Sequence, residues 1–332
     1  MKKIFSVSIL ILLLFNFIVS FLVFESNILQ SSLISEFNSN QFKESTLEKS
    51  LISNISFPNI SVTGLPLKDM VANQLLVVGR FDESLDYLNL KVNDNPFLGL
   101  NEVLKSRIFF EYKQKDSALL YAKKASSLIP NNIIHFERLL VTLAIDKSID
   151  DIFSAYNNIE FPDTNFIDIL LSTLVAMDFD EMSTDQTSQI LKIKSDYIDN
   201  QKFQDLTDIL LVGRDVLSDV SKLNKQASDL YQNGLYEQAA SLYLKAKTLN
   251  PYDYAIYENA GLCMLLSKNY DGAINMFNTV IDSLNKTSPK SLYLRGMSLI
   301  EVGQKEAACL DFIESSKFNY KEARTAYYKF CK

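Results

Sequence analysis

Three consecutive segments of this 332-residue chain carry one pattern of residues at nearly one spacing. From Leu223 the order is Leu223, Gln226, Ala227 and Leu230, then Tyr236, Ala239, Tyr243, Ala246 and Pro251. It returns as Tyr257, Ala260, Gly261 and Met264, then Tyr270, Ala273 and Phe277. A third copy runs Leu292, Arg295, Gly296 and Leu299, then Ala308 and Phe312. Ala227 to Gly261 is 34 residues and Gly261 to Gly296 is 35. Apolar residues three and four apart within each copy predict two helices joined by a turn.

The spacing has a steric reading. Each copy needs a small residue midway along its first helix, because the second helix crosses there. Ala227, Gly261 and Gly296 fill that place, and Ala239, Ala273 and Ala308 fill the matching place on the second helix. Larger side chains would hold the axes beyond the roughly 8–10 Å of close helix packing. Tyr243, Phe277 and Phe312 follow one turn after those alanines, on the same face, and are expected to fill the core between copies. Gly234 and Gly303 stand five residues before Ala239 and Ala308, where a left-handed residue can end the first helix. Pro251 cannot continue the helix behind it. Any all-helical protein shows apolar spacings of three and four. The joint match in small residue, turn glycine, alanine, aromatic and proline is what discriminates. Taken together these residues resemble the tetratricopeptide repeat, a helix–turn–helix unit with a W-x2-L-G-x2-Y…A-x3-F…P signature. The resemblance implies an all-α fold, an α-solenoid of stacked helix–turn–helix repeats, and a binding surface instead of a catalytic pocket.

A weaker copy lies upstream in Ala72, Gly79, Phe81, Leu88 and Pro96, with Ser84 in place of the second-helix alanine. Ser106, Ala118, Ala125 and Pro130 follow, and Pro96 to Pro130 is again 34 residues. A degraded third copy runs from Phe136 through Leu140 and Leu143 to Tyr156. There leucine replaces the small residue and Ile152 the alanine, so different packing is expected. Residues 161–220 keep helical periodicity (Phe166, Ile169, Leu170; Ile190, Leu191, Ile193; Leu206, Ile209, Leu210) without the small-residue pattern. They read as a helical connector or as eroded repeats. Tyr320 to Lys332 reads as one more helix closing the exposed end, where the last repeat has no neighbour. The expected organisation is a membrane anchor over 1–24, a juxtamembrane helix and loop over 25–64 and a degenerate repeat block over 65–160. The connector over 161–220 and a C-terminal block with its capping helix over 221–332 complete it.

Residues 4–24 are apolar except for Ser6, Ser8, Asn16 and Ser20. Twenty-one helical residues span roughly 31 Å, matching a hydrocarbon core of about 30 Å. Lys2 and Lys3 precede the run and Glu25 follows it, which places the N-terminus in the cytoplasm by the positive-inside rule. The alternative is a cleaved signal peptide, whose apolar region is shorter and ends in a small-x-small cleavage site. No such site stands between Val19 and Gln30, and no cysteine follows the run to support a lipoprotein signal. The favoured expectation is an uncleaved single-pass anchor in the inner (cytoplasmic) membrane, with the bulk of the chain periplasmic or otherwise exported.

Composition narrows the function. At 47% hydrophobic residues the chain is not disordered. Nine glycines and seven prolines suit a helical array with short turns, and no sustained period-two alternation marks a hairpin. A net charge of −7 argues against nucleic acid, which needs a basic face, and against a second contact with anionic lipid.

Three cysteines are too few for a disulfide scaffold. Cys309 and Cys331 fall on the last repeat and on the closing helix, where an exported chain can bridge them. Two small buried thiols are the other reading. Cys263, beside Gly261, reads as core packing. His135 is the single histidine and cannot build a multi-histidine metal site. No G-x-S-x-G, phosphate-cradling loop or H-E-x-x-H is present. Carboxylate pairs such as Asp150–Asp151, or Glu314 near Asp311, fit solvated helix faces. Glycosylation sequons begin at Asn54, Asn59 and Asn285 in a chain rich in Asn and Ser, and mean nothing in a bacterial host. No enzyme, cofactor or small-molecule substrate is expected.

Function is then assigned to the concave face lined by first helices. In the C-terminal block it is expected to include Asn224, Ser228, Tyr231, Glu258, Leu262, Leu265, Tyr293, Met297 and Ile300. Asn224 and Asn259 are present but the lysine of a carboxylate clamp is missing, so a C-terminal carboxylate is not the expected ligand. An apolar surface with scattered hydroxyl and amide groups suits a peptide or amphipathic helix laid in a groove of a protein partner. The bland alternative is that several of these side chains pack between helices.

Phe57-Pro58-Asn59-Ile60-Ser61…Gly64-Leu65-Pro66, the upstream repeats, and Pro130 through Phe136 carry a looser likeness. They are similar to the exported repeat region of O-antigen ligase or polymerase-like proteins of Bacteroidetes. That resemblance implies an envelope protein associated with surface-polysaccharide assembly, as an accessory or separated repeat part. Those enzymes have many spans and this chain has one, so no catalytic residue is carried over.

Overall fold

In the computed structural model, residues 2–39, 41–52, 64–90, 95, 97–177 and 181–332 are described, with the side chains of 2–10 and 52 left aside. All regular elements among them are helices. The chain divides into two compact units, residues 1–173 with 177–179 and residues 174–176 with 180–332.

The first unit begins with α1 (Lys2–Ser39), α2 (Glu44–Ile52), α3 (Leu67–Val77) and α4 (Phe81–Asn89). It continues with α5 (Leu100–Glu111), α6 (Lys115–Leu128), α7 (Ile133–Ala144), α8 (Ile149–Asn157) and most of α9 (Thr164–Ala176). α1 does not stop where the apolar run ends at Phe24. It continues unbroken to Ser39, and its last turns bury Leu33 against Leu47, Val71 and Leu75. The buried Glu36 carboxylate accepts from the Thr46 hydroxyl, the Gln74 amide and the Lys43 backbone N–H, joining α1, α2 and α3.

The second unit holds α10 (Thr184–Asp196), α11 (Gln201–Val212), α12 (Arg214–Gln232), α13 (Tyr236–Leu249) and α14 (Tyr254–Leu266). α15 (Tyr270–Thr279), α16 (Pro289–Glu301), α17 (Lys305–Lys317) and α18 (Lys321–Phe330) follow. α10 and α11 form a packed pair. The buried Lys194 ammonium lies 3.1 Å from Asp208, whose other oxygen accepts from the Asn250 amide just before Pro251. α10 and α11 are therefore bonded to the end of α13.

Six hairpins among the described residues share one crossing rule: α3–α4, α5–α6, α7–α8, α12–α13, α14–α15 and α16–α17. The crossing residues stand twelve apart in each, as Ala72/Ser84, Ser106/Ala118, Leu140/Ile152, Ala227/Ala239, Gly261/Ala273 and Gly296/Ala308. All twelve are buried. Where a serine replaces an alanine, its hydroxyl donates across the crossing to the facing alanine's carbonyl. Ser84 Oγ reaches Ala72 O at 2.7 Å, and Ser106 Oγ reaches Ala118 O at 2.8 Å. Each such buried bond contributes about 1 kcal/mol, which makes serine a functional substitute there. The degraded hairpin buries Leu140 and Ile152 completely, with Phe136 5.2 Å from Phe166 as additional filling.

The glycines at two crossings face something other than the opposing backbone. A Cβ on Gly261 would lie 2.7 Å from Phe277 Cε1, and one on Gly296 would lie 2.6 Å from Phe312 Cε1. The aromatic ring on the same hairpin's second helix fills the space that the missing methyl leaves.

All six hairpins turn through one left-handed residue, five positions before the second-helix crossing. Glycine takes it at Gly79, Gly234 and Gly303, with φ of 81°, 74° and 79°. Lysine takes it at Lys113, Lys147 and Lys268, with φ of 58°, 53° and 65°. The following N–H bonds five residues back, as in Asn269 N to Met264 O at 2.8 Å, so the helix end is the same in both cases. A non-glycine residue in this conformation costs roughly 1–2 kcal/mol, partly offset because glycine has more unfolded-state freedom to lose. Lys268→Gly is therefore expected to stabilise the α14–α15 hairpin by up to about 1 kcal/mol. Amide hydrogen exchange in α14 and α15 reads this directly, and faster exchange in the variant would refute it.

The 35-residue step from Gly261 to Gly296 also has a local cause. α15 ends in a π turn over Val280–Leu284, closed by Asn285 N to Val280 O at 2.8 Å. A π turn holds one residue more than an α turn, so it absorbs the extra residue and leaves Gly296 in register.

Candidate peptide-binding face

The first helices of the second unit, α12, α14 and α16, carry the nine residues expected to line a groove. The structure divides them. Asn224 and Ser228 are half-buried, and Asn224 Oδ1 has no hydrogen-bond partner. Tyr231 is 36% exposed, its ring 5.6 Å from that of Tyr236. Leu262 and Leu265 are half-buried, packed at the edge of the core formed by Ala227, Tyr243, Gly261's neighbours and Phe277. Met297 and Ile300 lie half-buried against the cluster of Leu299, Phe312 and Ala326, which also takes in Tyr327 and Phe330. Tyr293 sits between Phe312 at 6.1 Å and Tyr320 at 5.5 Å, and burial pushes its phenol up.

Glu258 is a correction. It is only 5% exposed, and its carboxylate accepts from the hydroxyls of Ser288 at 2.5 Å and Ser291 at 2.6 Å. Lys290 Nζ completes the set at 3.2 Å. The side chain therefore ties α14 to the start of α16 and presents no charge to a partner. Its bonding residues lie 30 and 33 positions downstream, beyond what a helical register displays.

Cys309 and Cys331 are joined by a disulfide with Cα atoms 5.8 Å apart, which fastens α18 to α17. Cys263 is a buried free thiol, and burial raises it to about 11, so it is inert packing. His135 is 3% exposed, and a Cβ on Gly99 would lie 2.7 Å from its Cε1. Its Nδ1 has no hydrogen-bond partner, and burial pushes its pKa down, so it sits as a packed side chain inside the fold. Among the described residues, no group of three or more His, Cys, Asp or Glu side chains is placed to hold a metal.

Two polar residues on the first helices of the first unit escaped the sequence reading. Arg107 on α5 donates to Asn73 Oδ1 on α3 at 3.2 Å. The Arg138 guanidinium on α7 lies 4.6 Å from the centre of the Phe110 ring and donates to Thr142 Oγ1. Burial lowers both arginines, Arg138 to about 10, with Arg107 adding repulsion. Asn73, Arg107, Ser228, Leu262 and Met297 each follow a crossing residue by one, a shared register that marks them.

Comparison with known proteins finds partial similarities. No family model matches the chain. The Lipoprotein NlpI homolog of Haemophilus influenzae is 32% identical over 110 residues, covering 33% of this chain and 35% of that protein. The match thus spans about a third of that relative's length. The first tetratricopeptide domain of Spaghetti (RPAP3), bound to an HSP90 peptide, matches at 21% identity over 34% of this chain and 90% of that one, with a TM-score of 0.33. A tetratricopeptide repeat protein from Parabacteroides merdae matches at 11% identity over 92% of this chain and 99% of that one, with a TM-score of 0.29. Such TM-scores do not let function be read across. The repeats are tetratricopeptide-like. That rests on the twelve-residue crossings, the left-handed turns and the aromatic over each crossing glycine. None of these matches bears on the looser likeness to O-antigen ligase-like proteins. Residues 57–63, 91–94 and 96 of the stretch carrying it lie outside the described residues.

Proposed function

We propose that this chain is a membrane-anchored, exported repeat scaffold that binds a protein or peptide partner along the first-helix face of its C-terminal block and carries out no chemistry. The observation that carries the reading is the half-buried apolar row of Leu262, Leu265, Met297 and Ile300, with Tyr231 more exposed and Asn224 holding an unused acceptor. Apolar side chains with a few amide and hydroxyl groups suit the apolar face of an amphipathic segment. The anchor is supported by α1, whose stretch from Ile11 averages a hydropathy of 2.0 and is long and apolar enough to cross a membrane. Export is supported by the Cys309–Cys331 bridge, since such bonds persist in oxidising compartments. Lys2 and Lys3 before the run favour a cytoplasmic N-terminus and a single pass through the inner membrane.

Photocrosslinking in intact membranes tests the assignment. A photoreactive residue at Leu265 or Met297 is expected to capture one partner, and one at Leu310, 68% exposed on α17, is expected to capture none. Leu265→Asp should weaken that capture by roughly 30-fold, the loss of one interface anchor of about 2 kcal/mol. Capture from Leu310 and not from Leu265 or Met297 would move the site to the other face.

A further inference from the structure

Near the middle of its apolar run, α1 carries a polar side chain that the fold leaves incompletely bonded. Between Ile11 and Phe24 every residue is apolar except Asn16 and Ser20. Asn16 lies about 3 Å from the centre of the run over 4–24, at 1.5 Å per residue. Its Nδ2 donates to Leu12 O at 2.9 Å, one turn back. Its second N–H and its Oδ1 have no protein partner among the described residues, and the window that qualifies as a span is 0% buried. In hydrocarbon no water completes such an amide, and polar groups there find partners on another helix.

We propose that α1 pairs in the membrane with the α1 of a second copy of this chain, in parallel, with Asn16 bonded to Asn16. The inference rests on the anchor reading above. The argument for a second copy is one of complementarity. An amide carries a donor and an acceptor together, so a two-fold axis along the helix pair lets each Asn16 donate to the other's Oδ1. Such an interface is isologous and closes at two copies. Identical chains place the group at identical depth, whereas an unrelated helix must bring a polar group to that same depth. Ser20 stands one turn further along the same face and adds a hydroxyl at the seam. Because α1 runs without a break into Leu33 and Glu36, which pack on α2 and α3, pairing would hold two N-terminal units side by side at the bilayer surface.

The test uses the full chain. Carbonate extraction of membranes first establishes whether it is integral. The purified chain, labelled with donor or acceptor dye and reconstituted in phosphatidylcholine vesicles, then reports self-association by energy transfer across a range of protein-to-lipid ratios. A dimer is expected. Asn16→Leu should lower its association constant roughly ten-fold, as loss of a pair of intramembrane hydrogen bonds implies. Asn16→Gln, which keeps donor and acceptor, should retain most of it. A carbonate-extractable chain would overturn the anchor and this pairing together. A carbonate-resistant chain that stays monomeric, or a dimer indifferent to Asn16→Leu, would overturn the pairing and leave the anchor standing.

Discussion

Phe312→Ala is expected to destabilise the α16–α17 hairpin by about 3–5 kcal/mol, the range for removing a fully buried phenylalanine. The ring is 0% exposed and has Tyr293 at 6.1 Å and Phe330 at 6.4 Å. It also fills the place of a side chain at Gly296, so two positions sixteen residues apart share one volume. That coupling gives the prediction a sharper form. Gly296→Ala alone should cost about 1–3 kcal/mol, because its methyl would meet Phe312 Cε1 at 2.6 Å. In the Phe312→Ala background the clash is gone, and alanine has the better helix propensity by about 1 kcal/mol. The same substitution should then be neutral or stabilising. Hydrogen exchange of the α16 and α17 amides measures all four states of the cycle. If Gly296→Ala costs the same in both backgrounds, the glycine is there for another reason than the ring.

What the sequence could display was steric and short in range. The twelve-residue crossing pairs, the glycine turns at 79, 234 and 303, and the break at Pro251 follow from which residues fit a close approach or a left-handed turn. Ser84 and Ser106 were legible as small residues, but their hydroxyl bonds needed the facing carbonyl. The lysine turns were missed because lysine takes the left-handed conformation only when the neighbouring helix ends impose it. The groove was harder for a different reason. Helical register places Glu258, Leu262 and Leu265 on one side of α14 but does not say which is covered by α16. Ser288, Ser291 and Lys290 decide that for Glu258, and only folding brings them near. The same holds for α1, whose apolar run ends at Phe24 while its helix continues to Ser39 because Leu33 and Glu36 find partners on α2 and α3.

Arg295→Met tests whether the apolar row on α16 is held by packing alone. Arg295 donates through Nε and Nη2 to both oxygens of Asp311, at 2.8 and 2.7 Å, and through Nη1 to Asn278 Oδ1 at 2.8 Å. One planar side chain therefore fixes α16 against α17 and α15. Asp311, expected from the sequence on a solvated helix face, is instead buried against Arg295, so removing the arginine strands its carboxylate away from water. Breaking a buried pair from one side costs about 3–5 kcal/mol, whereas replacing both partners with apolar residues of similar size is often close to neutral. Arg295→Met should accordingly destabilise by that amount, and Arg295→Met with Asp311→Leu should recover most of it. Partner capture from Met297 distinguishes a second role. The double variant restores stability but not the bidentate bond that sets the angle of α16, so a groove that depends on that angle will still bind weakly. Recovery of stability and capture together would mean that the pair holds the hairpin and leaves the face to its apolar packing. Failure of the double variant to regain stability would show that Arg295 acts chiefly through Asn278 and α15.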